Sequence, residues 1–268
     1  DMYINDEGQV VYRESEEAET GKLIDFPLPA ALRARLGGRT DATSKLVGFP
    51  LAGAAVGILL ALAAVFCSVV FKPVAGSIIF AVLCTAFLDL KDSGRGLGLL
   101  TSCFLLKQHG VPMVDALPRM TGDWNAIGNP LAAVFVSLLE VAKAALLFTL
   151  AFYGAKLWIL VILAGAFTVQ GMLAADPDRE SGVPLLPVPH ENRRAGWWAF
   201  GILYLIMLPF FPFGVIAAGA VVYFCATGFA GYFRRNYGGV TSDFITLAGS
   251  LTELLLLIVG VLFALDVK

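Results

Sequence analysis

Leu46-Val47-Gly48-Phe49-Pro50-Leu51-Ala52-Gly53-Ala54-Ala55-Val56-Gly57-Ile58-Leu59-Leu60-Ala61-Leu62-Ala63-Ala64-Val65-Phe66-Cys67-Ser68-Val69-Val70-Phe71 runs for 26 residues without a charged side chain. A hydrocarbon core of about 30 Å needs about 20 apolar residues in helical form, so this run predicts a membrane-spanning helix. A spanning segment must satisfy its backbone internally, and the run has none of the alternation of a barrel strand. Lys72-Pro73 then makes a tight turn. Apolar runs recur at about 74–88, 130–153, 157–175, 196–209, 213–231 and 245–265, with Pro209 and Pro212 bounding the turn between the fifth and sixth. The expected fold is all-α: a polytopic transmembrane helical bundle of about seven spans.

The whole chain agrees. Of its 268 residues, 58% are hydrophobic and 15% charged, and mean hydropathy is +0.78. A soluble domain carries about 25% charge. Net charge is −2 and no basic stripe or motif is present, which excludes a nucleic-acid partner. Cys67, Cys84, Cys103 and Cys225 lack metal or redox spacing and read as small buried hydrophobes.

Residues 1–25 are polar, carry the acidic run Glu14–Glu19, and lack the apolar stretch of a secretory signal. They read as a disordered or loosely attached tail, and 26–268 as the membrane domain. The apolar stretch 97–106 is too short to span and suits a surface or re-entrant helix. Of the 19 Lys and Arg residues, 15 lie before the first span or in the connectors 89–129, 176–195 and 232–244. Seven spans put these segments on one face, which the positive-inside rule makes cytoplasmic, with the N-terminus there and the C-terminus outside. Localisation in a bacterial cytoplasmic (inner) membrane follows as the expectation.

The polar chemistry gathers in those connectors. In Tyr237-Gly238-Gly239-Val240-Thr241-Ser242-Asp243, Gly238 and Gly239 permit close backbone approach to a ligand. Backbone N–H groups there would cradle phosphate and Asp243 would hold a cation, or else Thr241 or Asp243 caps the last helix. Glu253 lies ten residues on in an apolar run, where a carboxylate must face the protein interior. Glu140 and Lys143 share a helix face, as a mutual ion pair or with Lys143 reaching an anionic substrate. Asp89 and Asp92 follow the second span, placed for a magnesium–phosphate complex or for a solvated loop, and Asp123 enters the third span similarly. His109 and His190 read as surface groups.

Together these landmarks resemble the cobalamin synthase family, the adenosylcobinamide-GDP ribazoletransferases. The main match is Gly238-Gly239-Val240-Thr241-Ser242-Asp243 with Glu253 ten residues on, against a family Gly-Gly-x-Thr-Gly-Asp followed by glutamate. Phe49-Pro50-Leu51-Ala52-Gly53, Pro27–Pro29, Lys143 and Arg179-Glu180-Ser181-Gly182 are similar to further family elements, so the resemblance covers about 26–268. Departures mark a divergent member: Phe87 replaces a histidine, Asp92 fits only with a one-residue gap, Arg95 stands near an aspartate position, only Asp123 and Gly128 remain of Asp-Ser-Arg-x-Gly, and Gln170 stands where an arginine is usual.

The resemblance implies a transferase that joins α-ribazole, or its 5′-phosphate, to adenosylcobinamide-GDP with release of GMP. It implies Mg2+ held by Asp89, Asp92 and Asp243. Gly238, Gly239, Thr241 and Asp123 would lie against substrate, Lys143 would neutralise charge and Glu253 would bind or orient. The corrinoid-GDP, α-ribazole and the lipid bilayer are the expected partners, and a homo-oligomer stays open. The alternatives are an inactive or repurposed homologue, a CDP-alcohol-type phosphotransferase (whose Asp-Gly-x-x-Ala-Arg signature is absent), and a transporter.

Overall fold

A computed structural model describes residues 2–4, 10–12, 42–91, 130–177 and 182–265. In chain order these form β1 (Met2–Ile4), β2 (Val10–Tyr12), α1 (Ala42–Val70), α2 (Pro73–Lys91), α3 (Pro130–Phe152), α4 (Trp158–Ala174), a 3-10 turn (His190–Arg193), α5 (Arg194–Met207), α6 (Pro212–Tyr237) and α7 (Ser242–Leu265). The two strands pair antiparallel, Met2 with Tyr12.

The seven helices fall where the apolar runs lie, with two corrections at their ends. α1 starts at Ala42, ahead of the apolar run, and carries Pro50 inside. Proline costs a hydrogen bond there, yet is tolerated in membrane helices because neighbours re-satisfy the backbone. The connector expected at 232–244 contracts to Gly238–Thr241, because α6 continues through Arg234 and Arg235 to Tyr237. Phe233 stacks on Phe244 with ring centroids 4.3 Å apart, and Tyr237 tilts against Phe244 at 4.9 Å. The charged side chains reach outward while the aromatics hold the last turns of α6 to α7. Gly238, left-handed at φ 76°, ends the helix.

α4 is the axis of the bundle. Every residue from Trp158 to Ala174 except Met172 is buried. α1 approaches it through Gly53 and Gly57: a Cβ on Gly53 would lie 2.5 Å from the Leu163 carbonyl oxygen, and one on Gly57 2.5 Å from the Leu160 Cα. Small residues four apart let two backbones meet, the main source of helix association where lipid removes the hydrophobic drive. The pairings Gly53–Leu163 and Gly57–Leu160 run antiparallel. α7 is also antiparallel to α4, with Gly249 facing Gln170 and Gly260 facing Trp158, whereas α6 is parallel, with Gly214 on Trp158 and Val222 on Gly165. α5 docks through the Tyr204 hydroxyl, which donates to the Val161 carbonyl at 3.1 Å. α2 and α3 pack together, α2 also against α1 and α3 against α7.

Alternation sorts the connectors by end. At one end, Asn192 donates to Thr43 at 3.2 Å and the Val240 N–H donates to the Pro177 carbonyl at 3.0 Å. At the other, the Lys156 ammonium donates to Ser68 at 2.6 Å, close to Lys72 and the start of α2. The flanks carry exposed apolar side chains, among them Leu59, Leu62 and Phe66 on α1, Leu83 on α2, Leu205 on α5 and Phe224 on α6. So extensive an open apolar surface marks contact with lipid or protein. Three helices, Lys45–Val70, Pro212–Tyr237 and Ser242–Phe263, are long and apolar enough to cross a membrane, while Pro73–Asp89 and Trp158–Ala174 are apolar but shorter. At about 1.5 Å per residue, α4 measures only about 25 Å.

Candidate functional site

The end of the bundle that carries Thr43 and Asn192 also carries its densest charge. Asp176 follows the last turn of α4, its backbone N–H donating to the Leu173 carbonyl at 3.0 Å, and its side chain is only 6% exposed. A carboxylate removed from water needs cations or hydrogen bonds around it. Arg193 donates from Nη1 to Asp176 at 3.1 Å and from Nη2 to the Ala175 carbonyl at 2.5 Å. Arg234, on the last turns of α6, brings Nη2 to 3.9 Å from the other carboxylate oxygen. Two backbone links hold the connectors here: Pro177 bridges Pro184, and Val240 binds Pro177.

Gly238, Gly239 and Thr241 lie beside this cluster. The Gly238 N–H donates to the Arg234 carbonyl, and the space a Cβ would take at Gly238 is empty out to 4 Å. Gly239 is buried. The Phe244 N–H donates to the Thr241 hydroxyl at 3.4 Å, so Thr241 serves as the α7 cap, the structural alternative read from the sequence. Asp243 sits in the first turn of α7, where a carboxylate is favoured by the helix dipole.

The second polar group joins α2 and α3. The Lys143 ammonium donates to Asp89 at 2.5 Å, with side chains 9% and 33% exposed. Glu140 lies beside the same aspartate, and its Oε2 is buried without a partner. This corrects the Glu140–Lys143 expectation: Lys143 takes its ion-pair partner from another helix, and Asp89 stands between the two α3 side chains. α2 begins at the Ser68–Lys156 end, and Asp89 lies about 24 Å along it at helical rise, toward the end that holds Asp176 and Asp243.

Glu253 is buried in the middle of α7, only 2% exposed, one residue from Thr252, whose hydroxyl donates back to Ala248. Gln170, at the position noted for its missing arginine, is buried against Gly249, and its Oε1 is without a partner. Asp92, Asp123 and the stretch 97–106 lie outside the described residues, as do Arg95, Cys103 and Arg179. Among the described residues no three His, Cys, Asp or Glu side chains gather to hold a metal ion, and Asp89 already has an ammonium partner.

Sequence reasoning missed Asp176, Arg193 and Arg234. Asp176 follows an apolar run just as Asp89 does, and that parallel was a readable signal. The two arginines entered only as markers of sidedness. No family model, curated protein or solved structure matches this chain.

Proposed function

We propose that this chain is a membrane-embedded phosphoryl transferase of the cobalamin synthase kind, joining α-ribazole or its 5′-phosphate to adenosylcobinamide-GDP with release of GMP. In this reading it is a seven-span protein of a bacterial cytoplasmic membrane, with its N-terminus and polar end in the cytoplasm. The observation that carries the reading is the gathering of the Gly238–Thr241 turn, Asp243, Arg193 of the 3-10 turn and Arg234 of α6 at one end of an apolar bundle, toward which Asp89 also lies. A bulky amphiphile with a charged pyrophosphate suits such a place. Phosphoryl transfer works mainly through positioning and charge stabilisation, which backbone N–H groups and guanidinium groups supply.

Within the proposal Asp89, Asp92 and Asp243 are the magnesium ligands, and the bound ion would neutralise pyrophosphate charge. Lys143 holds Asp89 in place, and Glu253 and Asp123 orient substrate. A catalytically inactive homologue is the second reading, favoured by the Lys143–Asp89 ion pair, which occupies the first of those aspartates.

One experiment separates them. Purified protein given adenosylcobinamide-GDP, α-ribazole and Mg2+ should release GMP, and Asp243→Ala should abolish the release. Absence of GMP, under conditions where an authentic family member produces it, overturns the transferase reading.

A further inference from the structure

We infer that Arg193 and Arg234, gathered on the two oxygens of the buried Asp176 carboxylate, form a phosphate-binding subsite. The inference rests on the proposed function only for its natural ligand, the pyrophosphate of a nucleoside-diphosphate-linked substrate.

One carboxylate neutralises one guanidinium. Here a single buried carboxylate faces two, and Arg194 and Arg235 follow them directly in the chain. Arg193 is oriented by two hydrogen bonds, one of them to the Ala175 carbonyl, yet its Nε is buried with no partner, so its donors are not all satisfied within the protein. Arg234 is anchored through Nε to the Ala230 carbonyl at 3.2 Å, and its side chain remains 55% exposed. At 3.9 Å from Asp176 it is attracted without being hydrogen-bonded, which leaves the outward N–H groups of its fork for a ligand. A guanidinium pre-oriented this way binds phosphate oxygens in pairs at little entropic cost.

The surroundings allow access. Gly238 directly follows the α6 end that carries Arg234, and a Cβ there would meet nothing within 4 Å. Gly53, Gly57, Gly249 and Gly260, by contrast, all face atoms a Cβ would strike. Those glycines serve packing, whereas Gly238 is open, as Gly201, Gly228 and Gly231 also are. The Val240–Pro177 and Pro177–Pro184 links fix the arginine-bearing ends relative to each other, so the subsite exists before a ligand arrives.

The test uses inorganic pyrophosphate and GDP as probes, with the full chain in phosphatidylcholine nanodiscs and titration calorimetry. Wild type should bind both. Arg234→Gln, which spares the Arg193–Asp176 bond, should weaken binding at least tenfold without a matching loss of thermal stability, and Lys72→Gln at the opposite end should change nothing. Phosphate-bearing ligands can be soluble or lipid headgroups, so the titration is repeated with phosphatidylglycerol in the disc. Competition in wild type that is missing in Arg234→Gln supports the subsite and names the headgroup as its occupant; no competition supports the subsite with a soluble ligand. No pyrophosphate binding by wild type, or equal binding by Arg234→Gln, overturns the inference and leaves the arginines as a structural latch. GMP release is assayed separately. Arginine-dependent binding without turnover removes the transferase and keeps the subsite, and turnover without arginine-dependent binding does the reverse.

Discussion

The indole N–H of Trp158 donates to the main-chain carbonyl of Leu256 at 3.0 Å, through a gap that exists because residue 260 is glycine. The ring also meets Phe211 edge-on at 5.2 Å, so one side chain at the head of α4 joins the starts of α4 and α6 to the later turns of α7. Gly260→Ala places a methyl group against the indole. Overpacking of this kind costs about 1–3 kcal/mol. Thermal unfolding in detergent should shift down by several degrees, and Trp158→Phe, which removes the N–H, should make Gly260→Ala better tolerated. Independent, additive losses would refute the coupling.

Gly57 and Gly201 offer a contrast within the same residue type. Gly57 meets the Leu160 backbone, while a Cβ at Gly201 meets nothing within 4 Å. Gly57→Leu should prevent α1 from docking on α4 and abolish recovery of folded protein. Gly201→Ala should be neutral, or stabilise α5 by about 0.5–1 kcal/mol through helix propensity. Equal tolerance at the two positions, read as monodisperse yield and melting temperature, would contradict the close α1–α4 approach.

The Asp89–Lys143 pair yields a double-mutant cycle. Lys143→Met leaves a part-buried carboxylate beside Glu140, and Asp89→Asn leaves an ammonium only 9% exposed. Each single change should destabilise by about 1–3 kcal/mol, moderated because Asp89 is one-third exposed. The double variant should recover much of that loss, giving a coupling energy of at least about 1 kcal/mol. A coupling energy near zero would mean that the pair does not join α2 to α3.

Sidedness is checked by reporters. A fusion after residue 268 should read as external, and a cysteine replacing Arg194 should be labelled only from the cytoplasmic side. Labelling of that position from outside would reverse the proposed orientation.

Much of the fold was legible because length and continuity of apolar residues carry it. The runs at 74–88 and 157–175 anticipate α2 and α4 within a few residues. Helix ends read less well. Arg234 and Arg235 look like the end of a span, yet a helix stops where its backbone must turn, and here that is Gly238. The site was legible only in part. Thr241 and Asp243 announce a helix start by local rules, whereas Asp89 and Lys143 are 54 positions apart, and Glu140, three residues from Lys143, offered the nearer partner. Asp176 gains its meaning only from arginines delivered by the 3-10 turn and by α6.

The enclosure of α4 bears on how the protein is made. Of the four helices that wrap it, only α1 has been synthesised when α4 emerges; α5, α6 and α7 come later. Until then its flank has no permanent cover, and Gln170, which ends against Gly249, faces whatever surrounds the nascent chain. A 17-residue segment in that position is a weak candidate for insertion on its own. Truncated chains ending before α7 should therefore be retained by the insertion machinery or degraded, which makes the arrival of α7 the step that commits α4 to its place.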